Sequence, residues 1–196
     1  LYTPMKQSYL FLADGFEEIE ALTTVDVMRR AGMPVVTVSI TSSAMVTGAH
    51  QVAVKADALI ADVDLGHAEW LICPGGMPGA SNLAACEPLN QALKAQAQAG
   101  GKVAAICASP AVVLGPLGLL EGREAVCYPG MEAGMKGARV EYSKPVAIDG
   151  NIITGNGPSA ANPFALAIVA HSAGEDVARR VAEDMLLYEG HYEFYF

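Results

Sequence analysis

Short apolar runs alternate with amphipathic stretches along the 196-residue chain. Residues 8–13 form a compact apolar run that stops at Asp14-Gly15, the pattern of a buried strand entering a turn. Residues 17–31 then show helical spacing. Ile19, Leu22, Val25 and Met28 fall on one stripe, acidic residues open the segment, Arg29 and Arg30 close it, and Gly32 stands where a C-cap belongs. Residues 34–40 are a second apolar run. This beginning predicts two parallel strands joined by a right-handed crossover.

The alternation continues. Residues 44–56 read as a β excursion turning at Gly48, and residues 69–73 as a strand that stops at Pro74-Gly75-Gly76. Pro88 opens a helix running to Ala99. Residues 102–106 are the next strand, followed by a short helix over about 108–114. Residues 124–128, 140–142, 146–148 and 152–154 are further strand candidates. Residues 158–172 and 175–188 predict two terminal helices. No repeat or linker divides the chain, so one domain is expected over 6–196. Residues 1–4 precede Met5 and read as lying outside it. The pattern predicts an α/β fold, an open and mostly parallel sheet with helices on both faces. Ligands of such folds bind beyond the carboxyl ends of the strands. That directs attention to residues 14–20, 74–79, 107–110 and 155–159.

Composition narrows the partners. The net charge is −9 and no basic run exists, which argues against nucleic acid, since phosphate contacts need clustered Lys and Arg. With 52% hydrophobic residues the chain is not disordered. Two uncharged stretches, 103–120 and 150–174, are broken by Pro, Gly and Asn and read as buried core rather than as membrane spans. Cys73, Cys86, Cys107 and Cys127 have neither zinc-site nor disulfide-framework spacing. With no signal peptide apparent, a reducing cytoplasmic compartment is expected.

Cys107 is the sharpest candidate. It follows an apolar strand and precedes a helical segment, where a side chain is held at the lip of the sheet and a helix N-terminus favours thiolate. The competing reading is a buried structural cysteine. Pro74-Gly75-Gly76 reads either as a backbone nest for an oxyanion or as a tight turn. Glu17 and Glu18 suit a helix N-terminus electrostatically. Glu20 lies nearer the apolar face, where a half-buried carboxyl would have a raised pKa. His67 and His191 each precede a carboxylate by two residues but stand far from the candidate strand ends. No His and carboxylate set has metal-ligand spacing, so no metal is expected. Tyr188, Tyr192, Phe194, Tyr195 and Phe196 form an aromatic tail expected to pack on the body or a partner.

Residues 13–20 (ADGFEEIE), Pro74-Gly75-Gly76, residues 104–110 (AAICASP) and Gly157-Pro158-Ser159 come in the order and spacing of the ThiJ/PfpI superfamily. The chain resembles most the branch of the parkinsonism-associated protein deglycase, over nearly its whole length. The resemblance implies a flavodoxin-like three-layer sandwich and a homodimer. It implies Cys107 as a nucleophile on an elbow and Glu20 as the acid bonded to its sulfur. Gly75, Gly76 and Ala108 become the oxyanion- and substrate-binding positions, and Arg30 a position near the dimer contact. The site would be lined by Tyr128, Pro158 and His50. Tyr128 stands where that branch often carries a His, and His50 where another basic residue approaches. Ala108 replaces the His that follows the nucleophile in the protease branch.

The expected activity is a cofactor-independent conversion of methylglyoxal-type aldehydes, or of their adducts on glycated proteins, with Cys107 and Glu20 as catalytic residues. The alternative is a redox sensor or stress chaperone with an oxidisable Cys107. A Cys-dependent amidase or peptidase is a third reading.

Overall fold

The computed structural model describes residues 4–188 and 190–196. Most of the segment set apart by the sequence, residues 1–3, lies outside the described residues. Eleven strands and five helices are described: β1 (Ser8–Leu12), α1 (Glu18–Arg30), β2 (Val35–Ser39), β3 (Met45–Thr47), β4 (Ala53–Lys55), β5 (Ala58–Leu59), β6 (Trp70–Cys73), α2 (Gly79–Ala84), α3 (Glu87–Gln98), β7 (Lys102–Ile106), β8 (Glu124–Ala125), β9 (Arg139–Val140), β10 (Val146–Asp149), β11 (Ile152–Gly155), α4 (Ala161–Ala173) and α5 (Glu175–Asp184).

The central sheet has the order β10-β11-β7-β6-β1-β2-β5. Every neighbouring pair in it is parallel except β10 with β11. The pleat separates two cores. Leu10, Leu12, Ile72, Ala104 and Ile106 face one layer with residues of α1, α4 and α5. Phe11, Leu71, Cys73, Val103 and Ala105 face the other, with residues of α2 and α3 and of the segment after β7. This is the flavodoxin-like sandwich that the resemblance implies. Its strand order reverses between β1 and β6, so the crevice at their carboxyl ends is the natural ligand position.

The helix α4 shows why the sequence folds this way. Phe164, Leu166, Ile168 and Val169 are all buried, and each contributes about 1.5–3 kcal/mol. The helix packs against both α1 and α5, so it is apolar on nearly every side. Among the described residues no helix is long and apolar enough to cross a membrane.

Several elements differ from the sequence expectation. The inward stripe of α1 is Glu20, Ala21, Thr24, Val25, Val27 and Met28. Ile19 and Leu22, expected inside, are 56% and 38% exposed. The N-cap explains the rotation: Glu17 accepts from the Glu20 N–H at 2.8 Å, and the Glu20 carboxyl turns inward toward the Gly75 loop. The helix α2 escaped the sequence reading because its six residues carry no clear apolar stripe. The helical segment after β7 is only Pro110–Leu114, and the strand expected over 124–128 stops at Ala125. Arg30 is exposed and pairs with Asp26 on its own helix.

The end of the aromatic tail packs on the body, whereas Tyr188 and Tyr192 are exposed. Phe194, Tyr195 and Phe196 lie against the α4–α5 core, and Arg179 stands over the rings of Phe194 and Phe196.

Candidate functional site

Three strand ends converge at the crevice. β7 delivers Cys107, whose backbone takes a φ of 65°, a left-handed conformation rare outside glycine. Its N–H donates to Gly155 O at 2.9 Å, and its carbonyl accepts from the Tyr128 N–H at 2.8 Å. The thiol therefore sits where β7, β11 and the segment after β8 meet. Ser109 fixes the neighbouring turn by donating its hydroxyl to Pro74 O at 2.5 Å.

β6 delivers Pro74-Gly75-Gly76. A Cβ on Gly75 would lie 2.5 Å from Cys107 Cβ and 2.8 Å from Glu20 Oε2, so only glycine lets the three residues share this corner. Gly76 has a φ of 87°, and a Cβ there would lie 2.4 Å from Gly15 O. Gly75 O accepts from the Glu17 N–H at 2.9 Å, which locks this loop to the start of α1.

Glu20 is fully buried. Its Oε2 accepts from the Gly75 N–H at 2.8 Å. Oε1 is buried without an oxygen or nitrogen partner, and the polar side chain against this carboxyl is the Cys107 thiol. Burial pushes Glu20 up to about 7, the nearby Glu17 charge adds to that, and the contacts with Cys107 and Gly75 oppose it.

The thiol feels opposite influences. Burial and the Glu20 charge push it up to about 12, while the N–H groups of Gly76 and Ala108, both directed at the sulfur, favour thiolate. These titrations belong to the pair. The first proton leaves near 7, and the second is held far above neutrality because two anions would then share a dry corner. With the single remaining proton on the sulfur, the S–H faces the Glu20 carboxylate, and its transfer to Glu20 leaves a thiolate met by the Gly76 and Ala108 N–H groups.

This corrects two expectations. The segment after Cys107 is too short for a helix dipole, so the Gly76 and Ala108 amides take that role. The Gly75 N–H, expected to face an oxyanion, is taken up by Glu20, which leaves Gly76 and Ala108 as donors. Tyr128 is tied to the nucleophile's backbone through its N–H to Cys107 O. The Tyr128 ring lies over buried Gly157, with Cδ2 3.5 Å from where a Cβ would be, and Pro158 follows directly.

His50 does not join Cys107 within this chain. It sits at the tip of the β3–β4 hairpin with its side chain 72% exposed. Its Nδ1 donates to Glu18 Oε2 at 2.8 Å and its backbone N–H to Glu18 Oε1 at 2.7 Å. Glu18 is thus a buried fastener of the hairpin, which its position as a helix-opening acid did not reveal. Among the described residues Glu17, Glu18 and His50 bring one donor atom each within 4.8 Å of one another. Both Glu18 oxygens and Glu17 Oε2 already accept protein hydrogen bonds. His191 lines a separate cavity of about 200 Å³ with Pro145, Asn162, Leu166 and Tyr195, which includes neither Cys107 nor Glu20.

Comparison with known proteins gives the family and agrees with the fold. Residues 6–171 match the DJ-1/PfpI family. The chain is 35% identical over 185 residues to the Parkinson disease protein 7 homolog of Danio rerio, covering 93% of this chain and 97% of that protein. It is 33% identical over 171 residues to the glutathione-independent glyoxalase DJR-1.2 of Caenorhabditis elegans, covering 87% and 90%. Among solved structures, oxidized Toxoplasma gondii DJ-1 superposes with a TM-score of 0.88 at 36% identity, covering 92% of this chain and 98% of that one. The chain spans less than half of two Arabidopsis thaliana relatives, 42% and 45% of their lengths.

Proposed function

The chain belongs to the DJ-1/PfpI family, and from that premise we propose that it is a cofactor-independent, glyoxalase-like enzyme for methylglyoxal-type aldehydes. The observation that carries the reading is the Cys107–Glu20 pair, one nucleophile and one acid–base group sharing a buried corner and a single proton. The worm relative whose name specifies a glutathione-independent glyoxalase supports it.

The chemistry needs nothing beyond these groups and water. The thiolate adds to the aldehyde carbon, and the Glu20 proton passes to the new alkoxide, giving a hemithioacetal. Ionised Glu20 then removes the hydrogen of that carbon as a proton, and the electron pair moves into an enediol. Return of the proton to the adjacent carbon leaves a 2-hydroxyacyl thioester. Water cleaves the C–S bond, releasing the 2-hydroxy acid and restoring the thiol. One carbon is oxidised as its neighbour is reduced, so no external oxidant enters. The Gly76 and Ala108 N–H groups are the donors left to steady developing charge. Reversible adducts of the same aldehydes on protein side chains belong to the same substrate class, which is the deglycase form of the reading.

Methylglyoxal consumption with product identification tests it. Wild type should form lactate, and Cys107→Ser and Glu20→Gln should not. Full activity in Cys107→Ser would end the proposal.

A second reading is supported by the oxidized state of the Toxoplasma relative. Each peroxide would transfer one oxygen to the Cys107 sulfur and leave as water, and protonated Glu20 would donate to the resulting sulfinate. A two-oxygen mass gain confined to Cys107 after mild peroxide is its expected signature. An amidase reading has less support, because no histidine is among the groups that shift Cys107. Exposed Ile19 and Leu22 on α1 support assembly as a homodimer, which light scattering of wild type against Leu22→Glu would test.

A further inference from the structure

Tyr128 has no part in the proton chemistry just described. The groups that shift Cys107 and Glu20 are each other, Glu17 and the N–H groups of Gly75, Gly76 and Ala108. The place of Tyr128 is nonetheless fixed beside the nucleophile. Its N–H donates to Cys107 O, and its own carbonyl accepts from the Met131 N–H at 3.1 Å. Its ring rests on Gly157, two residues beyond the Gly155 carbonyl that receives the Cys107 N–H.

One part of that ring is therefore packed just beyond the end of β11, while the residue as a whole is 49% exposed. Gly157 has no side chain to come between ring and backbone. Met77, the residue after the sulfur-facing Gly76, is also large, apolar and 52% exposed. Two adaptable apolar surfaces thus flank the strand ends that carry the thiol. A thioether and an aromatic face both suit a flat apolar group.

We propose that Tyr128 is a specificity-determining residue, an aromatic wall that favours carbonyl substrates bearing an aryl or similarly flat apolar group over those bearing only a methyl. The proposal rests on the reading of Cys107 as the attacking group. It assigns Tyr128 to the part of the substrate that does not react. Aromatic stacking of ordinary strength corresponds to about threefold to tenfold in preference.

The test uses two α-bromoketones, bromoacetone and phenacyl bromide. Both deliver a CH2 group to sulfur: an S–C bond forms, the C–Br bond breaks, bromide leaves and the thiol proton passes to Glu20 or solvent. Labelling at Cys107 is read by peptide mass, and the phenacyl-to-methyl rate ratio is divided by that of free cysteine. Wild type should show a normalised ratio of about threefold to tenfold. Tyr128→Phe should keep it, and Tyr128→Ala should bring it near one. Tyr128→Leu, which preserves bulk without a flat face, should also lose it and serves if the alanine variant fails to fold. A wild-type ratio of one, or a ratio retained without the ring, overturns the wall. Loss in Tyr128→Phe overturns it as well, since the hydroxyl would then be responsible. Turnover of methylglyoxal and phenylglyoxal is measured in parallel. If neither is consumed while the labelling preference holds, the glyoxalase reading fails and the wall stands.

Discussion

Glu20 stands against the Cys107 thiol with one carboxyl oxygen held by the Gly75 amide and the other without an oxygen or nitrogen partner. The two residues come from opposite sides of the strand-order reversal, Glu20 from α1 and Cys107 from the end of β7. Their proximity makes one protonation event belong to both. Below about 7 both hold a proton and the sulfur is a neutral thiol. Above it Glu20 has given up its proton, and the buried thiol, pushed up to about 12, keeps its own toward the carboxylate. The rate of Cys107 alkylation should therefore go on rising with pH well above 7 in wild type. In Glu20→Gln the charge and the acceptor that raise the thiol are gone, so the midpoint should move down. Iodoacetamide labelling followed by peptide mass across pH 5–10 checks this, and an unmoved midpoint would separate the two titrations.

The same carboxyl makes a signed contribution to stability. Its folded-state value of about 7 lies above its usual 4.5, so the folded chain holds the proton more tightly than the unfolded chain. Stability from this group is complete below pH 4.5 and is lost as pH rises through 7. The loss amounts to about 3 kcal/mol at 1.36 kcal/mol per pH unit. Groups common to both proteins cancel when wild type is compared with Glu20→Gln. Urea unfolding from pH 4.5 to 8.5 should show wild type losing ground to the variant by that order as pH rises. A difference independent of pH would mean that Glu20 titrates normally.

Gly75→Ala should be more damaging than its size implies. The new methyl would meet Cys107 Cβ at 2.5 Å and Ile106 O at 2.9 Å, neither of which can swing away as a flexible side-chain tip can. Overpacking of this kind costs about 1–3 kcal/mol. It would also displace the amide that holds Glu20. Lactate formation should fall at least a hundredfold while circular dichroism stays native-like, because misplacement of about 1 Å already costs that much in rate. Activity within tenfold of wild type would show that the corner tolerates a side chain.

Much of this arrangement was legible before the fold was known. The β7 run and its Cys107 ending follow from a short apolar segment between Gly101 and a turn, and strand-end logic drew attention to Glu20, Gly75 and Gly76. The facing of α1 was not legible. Ile19 and Leu22 have helical spacing, but a tertiary demand prevailed: the acid had to reach the Gly75 amide, which turned two large apolar residues outward. The thiol electrostatics were not legible either, because a strand followed by a short helix tells nothing of the burial or of the carboxylate that together raise Cys107. Glu18 was unreadable because its partners lie about thirty residues away, across a hairpin.

That hairpin provides the last prediction. Glu18 is buried beneath the β3–β4 tip and accepts three hydrogen bonds from it: the His50 N–H, the His50 Nδ1–H and, at 3.4 Å, the Val52 N–H. Gly48 makes the approach possible, since a Cβ there would lie 2.2 Å from Glu18 Oε1. These contacts hold Glu18 below the usual carboxylate range, against the opposing effect of burial, and raise His50. Glu18→Ala removes the charged acceptor of three partly buried hydrogen bonds, which costs about 1–3 kcal/mol. Because the hairpin keeps its other anchors, Ala49 N–H to Phe16 O and Gly15 N–H to Thr47 O, both at 2.8 Å, the loss should be local. Hydrogen exchange should accelerate across residues 48–52, whereas amides of β6 and β7 should keep their protection. His50→Ala retains the two backbone donors and should lose less. Equal acceleration in the central strands would show that Glu18 supports the whole fold and not the hairpin alone.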